Sequence, residues 1–235
     1  MPRRIAVGDI HGCYKTLVRL IEEEIKLTRE DILFPVGDFI DRGPDSKSVL
    51  DYLTDLIKKG FRIKAVRGNH EEMLLETLID PGHLKGWMRN GAETTIQSFG
   101  LHPDSLVTSE TVHEIPKKYV SMIEKLPYYI ELDDYLIVHA AFNFYMDDPF
   151  EDNYSMVWSR DTMYDPVKAG FRRIIHGHTP ITLEEIKAAV YDPGCGLINI
   201  DGGCVYTSYP DLGNLVALDL DSKELYIQKN IDIVQ

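Results

Sequence analysis

The sequence predicts an α/β domain whose parallel strands end in polar, ligand-shaped loops. Three observations carry that expectation. Short apolar runs alternate with stretches of helical periodicity through the first third of the chain, which is the pattern of βα units. Each of the first three runs opens onto glycines packed with acids, histidines or arginines: Gly8-Asp9-Ile10-His11-Gly12, Gly37-Asp38-Phe39-Ile40-Asp41-Arg42-Gly43 and Arg67-Gly68-Asn69-His70-Glu71. Ligand sites form at the carboxyl ends of such strands. The 235 residues, 44% of them hydrophobic, can bury a sizeable core, and one domain spanning 1–235 is expected.

Residues 4–7 read as the first strand, and Leu17, Val18, Leu20, Ile21 and Ile25 recur behind it at helical spacing. Residues 32–36 are an almost unbroken apolar run, which reads as a buried parallel strand. Pro35 is awkward there, because a central strand has no place for a missing amide donor, so a short or bulged strand is expected. Pro44-Asp45-Ser46 looks like a helix start, Val49, Leu50, Leu53, Leu56 and Ile57 give the apolar face, and Gly60 supplies the stop. Residues 61–66 make the third strand. From about 71 to 127 the pattern turns helical, beginning with Met73, Leu74, Leu75 and Leu78, and suggests an inserted helical cap. Within it, Trp87 suits a wall over a pocket as well as it suits a small core.

Residues 128–132 and 135–138 form a hairpin that turns at Asp133-Asp134 and delivers His139. Residues 142–153 read as an acidic, aromatic loop, and Arg160 arrives after the apolar run Met156-Val157-Trp158. Residues 173–175 form a strand opening onto His176-Gly177-His178, and 197–201 a strand ending at Asp201. Residues 215–220 and 225–228 close the sheet as a hairpin.

A formal charge of −13 argues against a surface that coats nucleic acid, yet it does not oppose an anionic substrate, because a site's local field can run against the net charge. Three scattered cysteines, Cys13, Cys195 and Cys204, suit neither a disulfide framework nor a zinc cage and point to a reducing cytoplasm. Arg3-Arg4 is followed by an apolar run too short for a targeting segment, and no stretch is long enough to span a bilayer.

Two carboxylates three residues apart, Asp38 and Asp41, with Arg42 beside them and glycines around them, are costly unless a cation and an anion sit there. A metal and a phosphate meet both demands. A single Asp after a strand is ordinarily a turn former or a helix cap, and a single His an ordinary core or surface group. Five strand ends that each carry Asp, Asn or His are not explained that way, since caps do not require histidines. His83, His102 and His113 keep the ordinary reading, as does Cys13, read as packing. Arg67 reads as a brace for its loop, and Glu71 and Glu72 as the acidic start of a helix.

Together these motifs resemble the signature of the phosphoprotein phosphatase family of calcineurin-like metallophosphoesterases, and the resemblance covers residues 4 to 220. It implies a four-layer αββα sandwich of two sheets. The length, and the lack of a Ser-Ala-Pro-Asn-Tyr-Cys segment, are similar to the compact bacterial and phage branch. By the resemblance, Asp9 and His11 would bind one divalent ion and Asn69, His139 and His178 the other, with Asp38 bridging. Every ligand is oxygen or imidazole, a set that suits Mn²⁺, Fe²⁺, Ni²⁺ or Zn²⁺ and does not choose among them; Mn²⁺ is the ion expected first. Arg42 and Arg160, with Asn69, would hold the substrate phosphate. His70 would donate a proton and Asp41 would orient His70. Ala141, after His139-Ala140, and Gly202, after Asp201, depart from the family's usual glycine and threonine, and His176 is an addition beyond the ligand set.

What the resemblance implies is a serine/threonine protein phosphatase in which an activated water attacks phosphorus directly. Hydrolysis of diadenosine tetraphosphate or another small phosphoester is the alternative. The Asp41-Arg42-Gly43 sequence favours the first, because symmetrical dinucleotide hydrolases usually have alanine at the aspartate. An inactive module that binds phosphorylated partners is the third reading, and the full ligand set speaks against it. A monomer or small homo-oligomer is expected.

Overall fold

The structure, a computed structural model, describes residues 2–101 and 107–233. The first β-strand, β1 (Arg4–Val7), is followed by α1 (Tyr14–Arg19), which runs on as a π-helical turn over Leu20–Ile25 and stops at Lys26 in the left-handed region, φ 51°. Then come β2 (Ile32–Pro35), α2 (Ser46–Lys58) and β3 (Arg62–Ile63). The Asp45 carboxylate accepts the Ser48 amide and so caps α2 where the sequence places its start.

The third strand is shorter than expected, and Pro35 explains it. The carbonyls of Leu33 and Pro35 still accept the amides of Lys64 and Val66, but Pro35 has no amide to return toward that side, so the paired ladder lapses after Ile63.

Helices α3 (Asn69–Ile79), α4 (Leu84–Arg89), α5 (Ala92–Ser98), α6 (Ser109–His113) and α7 (Lys117–Glu124) fill the stretch before β4 (Tyr129–Glu131). Their buried Trp87, Ile96, Val112, Tyr119 and Ile123 lie in one apolar cluster with Ile5, Leu17 and Leu53. They therefore pack on the first sheet. The remaining elements are β5 (Tyr135–Val138), α8 (Asn153–Trp158), β6 (Arg173–His176), α9 (Leu183–Tyr191), β7 (Leu197–Asn199), β8 (Asn214–Asp219) and β9 (Leu225–Lys229).

Two sheets result, one ordered β3-β2-β1-β8-β9 and the other β4-β5-β6-β7. β1, β2 and β3 are parallel, as are β5, β6 and β7, whereas β4, β8 and β9 join antiparallel. Side-chain alternation assigns the layers. Ile5 and Val7 face the helices and Ala6 faces inward; Leu136 and Val138 face outward and Ile137 inward. Phe34, Val36, Ile137, Ile175, Ile198 and Val216 fill the space between the sheets. The outer face of the second sheet is covered by α8 and the coil around it, through Phe142, Phe144, Met156 and Ala169, while α9 adds Ile186 and Val190 to the inter-sheet cluster. Among the described residues, no helix is long and apolar enough to cross a membrane.

The parallel strands of both sheets end on the same crest. Loss of the inter-sheet filling there should loosen it: Phe34, fully buried, replaced by Ala is expected to cost about 3 to 5 kcal/mol of stability, read from denaturant unfolding. A cost below about 1 kcal/mol would mean that the sheets are not held together by this layer.

Candidate metal centre

The loops at the crest are bent more sharply than side chains ordinarily permit. His11, Asp38, Asp41, Arg42 and His178 all have positive φ, between 46° and 72°, a region that costs an L-residue roughly 1–2 kcal/mol. Such strain collects at functional sites. Two glycines bring backbone against the acids: a Cβ on Gly68 would collide with Asp38 Oδ1, and one on Gly177 with Asp9 Oδ1.

At the centre lies Asp38, 1% exposed. Its Oδ1 accepts the His70 amide at 3.1 Å and lies 3.4 Å from His139 Nε2, while its Oδ2 lies 3.4 Å from His11 Nε2. Burial opposes its ionisation, but positive charge beside it, that of His139, His70 and His11 when protonated and of Arg42, holds Asp38 below the usual carboxylate range. Asp9 is in the opposite position, pushed well above that range by burial with Asp201 and Asp38 alongside. Asp201 is likewise raised, to about 7, by burial.

The imidazoles show what the cluster is built for. His139 Nδ1 meets the Val36 carbonyl at 2.9 Å and His11 Nδ1 meets the Ile40 carbonyl at 3.0 Å, so each Nδ1 carries the proton. Burial lowers the pKa of both rings, which are therefore neutral, with a lone pair at Nε2. The His139 lone pair points at Asn69 Oδ1, 2.9 Å away, and at His178 Nδ1, 3.2 Å away; His178 Nδ1 and Asn69 Oδ1 are 3.0 Å apart. At least two acceptors in this group face each other with no proton between them, an arrangement that a shared cation resolves. Separations near 3 Å match donors that share an ion at about 2.1 Å. Asp9 Oδ1, His178 Nε2 and His70 Nε2 are buried with no hydrogen-bond partner. Asp9, Asp38 and His139 place ligand atoms within 4.8 Å of one another, as do His11, Asp38 and His70. The donor types fit divalent ions; Asp38 is common to both groups, Asn69 and His178 adjoin His139, and the groups set Asp9 beside His139 and His11 beside His70, not Asp9 beside His11 as the resemblance implies.

His70 and Asp41 form a buried pair. His70 Nδ1 is 2.7 Å from Asp41 Oδ2, and both residues are 0% exposed. Burial works against a charged His70, but Asp38 and the bond to Asp41 outweigh it and raise its pKa. Its Nε2 lies 3.9 Å from Asp38 Oδ2 and has no hydrogen-bond partner. Of the two expected phosphate-holding arginines, Arg42 is half-buried, donates to His11 Nε2 at 2.7 Å and stacks over Tyr206 at 5.8 Å. Arg160 is exposed, and its charge is among those that depress His178 to about 3, where burial is the first cause.

Several residues matter more than the sequence suggested. Glu71 does begin a helix, but its buried carboxylate also ties down the neighbouring loop: Oε2 accepts the amides of Asp38 (2.9 Å) and Gly68 (3.0 Å), and Oε1 those of Phe39 (2.8 Å) and Ile40 (3.3 Å). Burial and Asp38 push its pKa up while these amides pull it down. The acid three residues into a helix was the visible signal; the four amides were not. Trp87 is fully buried in the core of the first sheet's helices, beneath a surface hollow beside Trp158, and its indole reaches Asp41. Arg67 bonds Glu72, Tyr128 and the Glu124 carbonyl, bracing its loop. His176 is half-buried against its own Gly177 carbonyl. His83 and His113 are exposed, and His102 lies outside the described residues. Cys13 is buried, with its thiol against the Asn230 amide.

Residues 2–198 match the family model for calcineurin-like phosphoesterases. Serine/threonine-protein phosphatase 1 of Salmonella typhimurium is 29% identical over 184 residues, 74% of this chain and 77% of that protein. The asymmetrical bis(5'-nucleosyl)-tetraphosphatase PrpE of Halalkalibacterium halodurans is 28% identical over 231 residues, 85% of each. A solved structure provisionally assigned as a diadenosine tetraphosphatase shares the fold, with a TM-score of 0.62 at 21% identity over 99% of this chain and 97% of its own.

Replacing Glu71 by Gln turns an amide group toward amide donors. Stability should fall by about 1–3 kcal/mol and Mn²⁺ affinity by about 10- to 100-fold, measured by thermal unfolding and by titration. Unchanged affinity would detach this loop from the metal site.

Proposed function

We propose that the chain, which belongs to the calcineurin-like phosphoesterase family, hydrolyses phosphomonoesters of alcohols, phosphoserine and phosphothreonine in proteins foremost. The buried His70–Asp41 pair carries this reading. Cleaving an alkoxide from phosphorus needs a proton at the leaving oxygen, and a histidine held by a carboxylate with its far nitrogen free is built to give one. A nucleotide leaving group departs as a phosphate and needs that proton far less. The likeness to the Salmonella phosphatase supports the same choice. The likeness to the dinucleoside tetraphosphatase keeps hydrolysis of small phosphoanhydrides as the second reading.

Two divalent ions, Mn²⁺ foremost, would be held by Asp9, His11 and Asp38 and by Asp38, Asn69, His139 and His178; when bound they supply Lewis acidity and an activated water. The chain's own groups do the rest. Arg42 and Arg160 orient the phosphate and offset charge that builds on its oxygens. Asn69 would help hold one ion and reach the phosphate, and His70 would give its Nε2 proton to the leaving oxygen. Free cysteines at 13, 195 and 204 suit a reducing cytoplasm.

Chelation should abolish hydrolysis of an aryl phosphate and added Mn²⁺ should restore it; full turnover in a verified metal-free preparation would refute the two-ion reading. Phosphate release from phosphoseryl, phosphothreonyl and phosphotyrosyl peptides beside diadenosine tetraphosphate decides the substrate class, and a preference for the dinucleotide selects the second reading.

His70→Asn should keep both ions and lose about 10²- to 10⁴-fold in kcat on a phosphoseryl peptide. The loss on a nitrophenyl ester should be smaller, since that group leaves without a proton. Equal losses would make His70 a positioning group, and loss of an ion would make it a ligand.

A further inference from the structure

The α4–α5 segment grips the Asp41-Arg42 turn. Trp87 Nε1 donates to Asp41 Oδ2 at 2.7 Å, the oxygen that also binds His70. Thr95 Oγ1 donates to Asp41 Oδ1 at 2.6 Å, and the Asp41 amide is 2.8 Å from the same hydroxyl and 3.0 Å from Ser46 Oγ. The Gly91 carbonyl accepts the Arg42 amide at 3.1 Å. Asp41, His70, Trp87 and Thr95 are all fully buried. Solvent does not reach any of these four side chains.

We propose that Trp87 is a positioning residue for proton delivery: its indole N–H fixes the plane of the Asp41 carboxylate and, through it, the aim of His70 Nε2. The inference rests on the reading of His70 as the acid. A carboxylate held at one oxygen alone can turn about its last bond and carry the imidazole with it. Held by Trp87 and His70 at Oδ2 and by Thr95 at Oδ1, it cannot. The turn also needs holding, because Asp41 and Arg42 sit at φ 71° and 67°, which they leave unless neighbours keep them there. A core-filling tryptophan would serve equally well as phenylalanine; a positioning one would not.

Trp87→Phe keeps the ring and deletes the N–H, and the Mn²⁺-loaded full chain is the enzyme to assay. The kcat on a phosphoseryl peptide should fall at least about tenfold, the lower end of the scale of one hydrogen bond to a charged group, with KM and bound Mn²⁺ unchanged. The nitrophenyl ester should lose much less. In an Asp41→Asn background Trp87→Phe should cost nothing further, because the two act through one carboxylate. No loss, equal losses on both substrates, or a full tenfold loss persisting beside Asp41→Asn would each overturn the proposal. If Trp87→Phe does not fold, Thr95→Val removes the other donor and must show the same pattern. If Asp41→Asn with both ions in place shows no dependence on the leaving group, the acid reading itself fails, and the proposal falls with it.

Discussion

Everything at the crest depends on one electrostatic demand: buried acids and imidazole lone pairs that point at each other. Asp9, Asp38 and Asp201 are each nearly inaccessible, and His11 and His139 have committed their only protons to the carbonyls of Ile40 and Val36. Such a group is unstable as a set of hydrogen bonds and stable as a set of ligands. The fold supplies it by ending two parallel strand sets at one edge, β1 to β3 from the first sheet and β5 to β7 from the second. Neither sheet has enough donors alone.

Bringing the donors together strains the backbone, and the strain is held by groups that touch no phosphate. Glu71 gathers four amides around the Asp38 turn. Trp87, Thr95 and Gly91 do the same for the Asp41 turn. The helices between β3 and β4 thus act on the site from behind, sharing the first sheet's core.

This division explains what could be read from residues alone. Strands 4–7 and 135–138, the hairpins and the polar clusters at the strand ends were legible because apolar runs and residue types are local properties. The brevity of β3 followed from Pro35, whose effect on its own strand was visible but whose effect on a neighbour required the register. Glu71 carried the ordinary mark of a helix start, and Trp87 that of a core, because the identity of a buried bond partner has no local trace. Positive φ at five non-glycine site residues was equally hidden: propensity assigns that region to glycine, and here ligand geometry overrides it.

The same division bears on substrate choice. A phosphoprotein phosphatase and a dinucleoside tetraphosphatase resemble this chain about equally, and a metal-ligand set that handles only the phosphoryl group has no means of telling their substrates apart. Discrimination must come from the leaving-group side. On the proposed reading of His70 as the acid, its proton matters for an alkoxide and little for a nucleotide. A site tuned for phosphoanhydrides would gain little from holding Asp41 at both oxygens. That it is so held, at the cost of two strained residues, is the physical ground of the proposal that an alcohol is the group released.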